Sequence, residues 1–115
     1  PVRLQGRPVY THNPEFTLVR TLPDEMKQLG RVFADRLNEA TGPVNVMVPT
    51  AGLSIPSTPG DVFWNPEADA GFLAELRANL RSDIAVEAQH AHINAPEFAE
   101  AVSARMLKLL DAPRA

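Results

Sequence analysis

The chain has 115 residues, a formal net charge of −3, 44% hydrophobic and 22% charged residues, and no cysteine. That is enough for one domain with an ordinary core but not for two. It excludes disulfides, thiolate metal sites and thiol catalysis, and it fits a reducing compartment, so a cytoplasmic location is expected. Acids and bases are interspersed without a basic block, which argues against nucleic-acid binding. No apolar run approaches the roughly 18 residues of a membrane span, and no signal peptide is visible. The chain begins with Pro1 and not Met, so it is expected to be a piece of a longer protein. Its 11 prolines are about twice average usage, but they fall at predicted element edges and punctuate a folded domain.

Taken in order, Pro1–Arg7 reads as polar and irregular, with Arg3 and Arg7 solvated. Residues 8–12 carry β-branched and aromatic side chains and read as an edge strand. Asn13-Pro14 signals a turn, and Phe16–Arg20 a second short extended piece. Thr21-Leu22-Pro23-Asp24 resembles a capped helix start. Met26, Leu29, Val32, Phe33, Leu37 and Ala40 then recur at helical spacing, predicting an apolar face, and Thr41-Gly42-Pro43 closes the helix.

Residues 44–49 form an almost continuous apolar run, which predicts a strand covered on both faces. Residues 50–64 form a loop of a length that usually serves function. Asn65-Pro66 with acids following predicts the cap and first turn of a second helix over 66–80, with Phe72, Leu73, Leu76 and Leu80 inward. Residues 84–90 alternate as a strand. Asn94, with Glu97 completing a capping box, opens a third helix whose inward stripe is Phe98, Val102, Met106, Leu109 and Leu110. Pro113–Ala115 reads as a frayed tail. Strand, helix, strand, helix, strand, helix implies an α/β fold: a three-layer, Rossmann-like βαβαβα arrangement with a short parallel sheet and helices on both faces.

In open α/β sheets, ligands sit where strand C-termini meet helix N-termini. Three segments are expected to converge there: His12-Asn13 with Thr17 and Arg20; Thr50 to Ser54; and His90 to Asn94. Helix N-termini at that rim favour an anion. Arg20 reads as an anion clamp or as one half of an ion pair. Gly52 and Ser54 read as a loop offering backbone donors to a phosphate, or as a plain turn. His12 and His92 read as orienting or acid/base groups, or as residues bonded to backbone. His90 and His92 with His12 would be a meagre metal site, since no carboxylate stands at a ligand spacing, so none is expected. Phe63 and Trp64 read as anchors of the long loop more readily than as a stacking platform.

No phosphate-loop, dinucleotide, nucleophile-elbow or HExxH motif is present. The leading expectation is therefore a small-molecule ligand at the sheet's C-terminal edge, held by His12, Asn13, Thr17, Arg20, Thr50, Gly52, Ser54, His92 and Asn94. A hydrolase or lyase using His92 or His12 as acid/base is the enzymatic alternative. A protein-interaction or homo-oligomerisation module is the third.

The ordered set His12-Asn13-Pro14, Thr17-Leu18-Val19-Arg20-Thr21, Leu29-Gly30, Thr41-Gly42-Pro43-Val44, Pro49 with Gly52 and Ser54, Pro59-Gly60, Phe63, Pro66-Glu67-Ala68-Asp69 and His92-Ile93-Asn94 resembles an uncharacterised family. It is the Tm-one-like family of the tobamovirus-resistance protein's ATP-binding region. The resemblance runs nearly end to end and covers only a member's C-terminal part. It implies the second of two Rossmann-like α/β lobes, a missing N-terminal lobe as partner, and ATP, with magnesium, as ligand. Members often carry Arg where Ala51 stands and Asp where Ser57 stands, and the loss of both weakens the implied nucleotide site.

Overall fold

The computed structural model describes residues 4–113. The expectations for Arg3 and for the last two residues lie outside that range. The elements are β1 (Val9–Thr11), β2 (Thr17–Val19), α1 (Pro23–Asn38), β3 (Asn45–Pro49), a 3-10 turn (Ile55–Ser57), α2 (Pro66–Asn79), β4 (Ala85–Gln89) and α3 (Pro96–Asp111).

The α/β class is as the sequence implies, and so is a short parallel sheet. β3 and β4 pair in parallel, from Asn45 opposite Ala85 to Pro49 opposite Gln89. Side chains alternate between faces along a strand. Val48 lines a cleft with Met26 of α1 and Phe72 of α2. The neighbouring pair Met47 and Glu87 therefore faces the other way, where Glu87 accepts a hydrogen bond of 2.8 Å from Arg105 Nε of α3. Helices thus cover both faces.

The expected first strand is not in this sheet. Val9–Thr11 pairs antiparallel with Thr17–Val19, Val9 opposite Val19 and Thr11 opposite Thr17, as a separate two-stranded hairpin. The reason is local: Asn13 Oδ1 accepts from the backbone N–H groups of Glu15 (2.9 Å) and Phe16 (2.8 Å), folding the chain straight back on itself. The molecule is elongated, 51 × 29 × 25 Å with a radius of gyration of 16.1 Å, against about 13 Å for a compact chain of this length. Arg7, expected in solvent, is held to α1 by Glu25, with Nη1 2.9 Å from Oε2.

α1 and α2 pack so closely that Gly30 has no room for a side chain. A Cβ there would lie 2.5 Å from the Phe72 carbonyl oxygen and 3.0 Å from Glu75 Cβ. The buried ridge of α1 is accordingly Met26, Gly30 and Ala34. Val32 and Phe33, expected inward, remain 51% exposed, although the Phe33 ring meets Phe72 edge-on at 5.3 Å. The helix starts at Pro23 with Leu22 as its cap residue, so Thr21 stands one position too early to cap it. It ends at Asn38, before Gly42, which carries no positive φ. Arg81 instead ties down this end, donating to the carbonyls of Asn38, the last helical residue (2.8 Å), and Ala40 just beyond it (3.0 Å).

α2 begins as expected, with Asn65 Oδ1 accepting from Ala68 N at 3.0 Å. Ala68 and Leu76 are fully buried. α3 departs from expectation at both ends of its argument. Its cap residue is Ala95 without a side-chain bond, not Asn94, and only Phe98 of its apolar stripe is buried. Val102, Met106 and Leu110 are exposed, because little of the described chain packs over that part of the helix.

Candidate functional site

Beyond Pro49 the two strands separate slowly. Thr50 donates to the Gln89 carbonyl through both its N–H (2.8 Å) and its hydroxyl (3.0 Å). Ala51 N donates to Ala91 O at 3.1 Å, and Ile93 N to Gly52 O at 2.9 Å. Gly52 and His92 form an isolated parallel bridge. The structure therefore brings Thr50, Gly52, Ser54, His92 and Asn94 together at the C-terminal end of the sheet.

Within this group His92 is a staple. Asn94 N donates to its Nδ1 at 3.0 Å, so Nδ1 is an acceptor and the proton sits on Nε2. Nε2 then donates to the Ser54 carbonyl at 3.0 Å. Both ring nitrogens are spent on backbone, which leaves neither for proton transfer or a metal ion. Gly52 is explained by the same ring. A Cβ at Gly52 would lie 2.3 Å from His92 Cδ2 and 3.1 Å from Ser57 O, and its φ of +154° adds strain for any side chain. The close approach is to an imidazole, and the Thr50 and Ala51 N–H groups are used within the ladder.

The remaining predicted residues stand elsewhere. His12, Asn13 and Thr17 are exposed on the hairpin, outside the parallel sheet. His12 N bonds Phe16 O at 3.0 Å, and its ring lies 6.4 Å from that of Tyr10. Arg20 is only 8% exposed and points inward. Its Nη2 reaches Asp69 Oδ1 at 2.5 Å, its Nε the Phe63 carbonyl at 3.0 Å, and its Nη1 the Thr21 hydroxyl at 3.1 Å. Of the two readings of Arg20, the structure shows the ion pair, an internal one that ties the end of the hairpin to α2. Phe63 is buried and meets Tyr10 edge-on at 6.3 Å, so it anchors the loop. Among the described residues, no group of three or more His, Cys, Asp or Glu is placed to hold a metal ion. All three helices carry proline in their first turn, which removes an N–H that an anion would otherwise meet.

A cleft of about 370 Å³ opens where β3 ends. Val48, Pro49 and Thr50 form its floor, Leu53 one wall, and Pro66, Asp69, Ala70, Phe72 and Leu73 of α2 another, with Met26 of α1 closing it. Of the residues expected from sequence to hold the ligand, Thr50 alone lines it. Phe72 and Leu73 read as core because they are apolar residues at helical spacing, and Leu53 read only as part of the long loop. Asp69 read as a first-turn acid, and nothing in the chain announced Arg20 as its partner.

Sequence comparison settles the family. Residues 1–110 match the uncharacterised protein family UPF0261, C-terminal domain. The chain belongs to that family. It is 41% identical over 106 residues to a UPF0261 protein of Rhizobium meliloti (strain 1021), covering 90% of this chain and 27% of the relative. A UPF0261 protein of Mesorhizobium japonicum is 38% identical over the same coverage. The ToMV resistance protein Tm-1(GCR237) of Solanum lycopersicum is 33% identical over 95% of this chain and 15% of that protein. The chain thus spans about a quarter of the length of the rhizobial family members. No helix among the described residues is long and apolar enough to cross a membrane.

Proposed function

We propose that this domain binds a small organic ligand at the C-terminal edge of its parallel sheet, as one lobe of a longer family polypeptide. The observation that carries the reading is the cleft between the end of β3 and the first turns of α1 and α2. Open α/β sheets bind ligands at that place, and pockets of a few hundred Å³ suit small molecules. A nucleotide, ATP with or without magnesium, is the ligand that the family resemblance implies. The Thr50–Ser54 loop and the α2 N-terminus lie nearest to where it would sit. Calorimetry with ATP, with and without magnesium, tests the reading on this chain and on a longer polypeptide containing it. Saturable binding supports it, and no heat with either protein removes the nucleotide.

The second reading, an interaction surface, is favoured by the hairpin. Val9, Tyr10, Phe16, Leu18 and Val19 are all at least 37% exposed on a two-stranded ribbon, which is marginal alone in water. In this reading the hairpin packs against another lobe or a second copy. Light scattering on the wild type and on Leu18→Lys checks the second copy, and a monomer in both cases removes it. The enzymatic alternative, using His92 or His12, has no such support: the His92 ring is occupied at both nitrogens, and His12 is exposed on the hairpin, outside the parallel sheet.

A further inference from the structure

We infer that the cleft at the end of β3 receives an uncharged ring bearing its own hydrogen-bond donor, and that it does not receive phosphate. The inference rests on the proposed ligand-binding reading and sharpens it to a class of ligand. Met26, Val48, Leu53, Phe72 and Leu73 give the cleft apolar walls, which reward burial of a ring or hydrocarbon.

The cleft's two polar side chains are Thr50 and Asp69, and both present acceptors. The Thr50 hydroxyl gives its hydrogen to the Gln89 carbonyl, which leaves only lone pairs. Asp69 is a carboxylate, acceptor-only when ionised. The Thr50 N–H is also committed to Gln89 O, and Pro49 and Pro66 have no N–H. Among the described residues no cation lines the cleft: the Arg20 guanidinium, which touches the lining residues Asp69 and Met26, is committed to them, to Thr21 and to the Phe63 carbonyl. An acceptor-only anion would therefore meet side chains that offer only acceptors or hydrocarbon. A flat neutral molecule with an N–H or NH₂ group would find partners at Thr50 and Asp69. The volume of about 370 Å³ lies near the lower end of ordinary ligand sites, room for a ring system and not for a ring with a polyphosphate chain.

The test is methyl-resolved NMR of the intact chain titrated with three probes: indole, 1-methylindole and inorganic tripolyphosphate. Indole is expected to shift the Leu53 and Leu73 methyl resonances saturably at millimolar concentration. 1-Methylindole, which lacks the donor, should bind at least fivefold more weakly, and tripolyphosphate should leave these resonances in place. Ala70→Trp, at an exposed position on the cleft's α2 wall, fills the space without removing core atoms and should abolish the indole shifts. The assignment is overturned if tripolyphosphate moves the same methyls, if indole does not, or if the two indoles bind equally. ATP binding with the cleft methyls unmoved by indole would sink this inference and spare the nucleotide reading. Indole binding without any response to ATP would do the reverse.

Discussion

Gly52 lies against the His92 imidazole so closely that one added carbon would stand 2.3 Å from its Cδ2 atom. The ring is pinned by Ser54 O and Asn94 N, so it cannot simply swing aside. Gly52→Ala is expected to destabilise the domain by about 2–4 kcal/mol, combining backbone strain with overpacking. Urea denaturation reads this as a lower midpoint at unchanged slope. The double variant Gly52→Ala/His92→Ala should recover part of the loss, because the clash is removed with the ring.

The Arg20–Asp69 pair predicts a contrast between single and double substitutions. Arg20→Met leaves a half-buried carboxylate without its charged donor and the Phe63 carbonyl with only the long 3.5 Å bond from the Ser57 hydroxyl. Removing one member of such a pair costs about 3 kcal/mol, whereas replacing both with apolar residues is often nearly neutral. Arg20→Met/Asp69→Leu should therefore be closer to wild type than Arg20→Met. A double-mutant cycle by chemical denaturation measures the coupling.

Two helical glycines should respond oppositely to the same change. Alanine is favoured over glycine inside a helix by about 1 kcal/mol. At Gly71 the new Cβ would meet only the flexible Lys27 stem, at 3.2 Å, so Gly71→Ala should gain about 0.5–1 kcal/mol. At Gly30 the obstacle is the Phe72 backbone at 2.5 Å. There the helices must part, and Gly30→Ala should lose about 1–3 kcal/mol despite the better propensity. Thermal unfolding of the two variants, with Tm shifts of opposite sign, checks this.

The carboxyls of Glu25 and Glu75 are held below their ordinary value of 4.5, chiefly by hydrogen bonds from Arg7 and Arg31 respectively. The folded state then binds fewer protons than the unfolded one near and below that value. Their stabilising effect is complete above pH 4.5 or so and is lost as pH falls through the lowered folded-state values. Urea midpoints should fall as pH drops from about 5.5 to 3, and more shallowly in Glu25→Gln/Glu75→Gln. A profile identical to wild type in that variant would assign the acid loss to other carboxyls.

Much of the architecture was legible residue by residue. Asn65 capping Ala68, Asn13 folding the hairpin and proline at each helix start are instructions carried by a few neighbouring residues, and the structure follows them. The apolar run before Pro49 and the alternation before His90 likewise became paired parallel strands. The gathering of Thr50, Gly52, Ser54, His92 and Asn94 followed from that pairing. Which strand joins which, which helix face is buried and where each charge ends are different questions. The turn at Asn13 was legible, but that it pairs β1 with β2 and keeps β1 out of the parallel sheet was not. α1 offers Gly30 and Phe33 one turn apart, and α2 packs hardest on the glycine because backbone can approach backbone there, leaving Phe33 at the edge of the contact. Arg20 meets Asp69 across 49 residues of chain. Caps and periods are local energies, written within a turn or two of the residue that feels them. Strand partners, ion pairs and cleft walls are set by contacts between distant segments, so only the folded chain decides them.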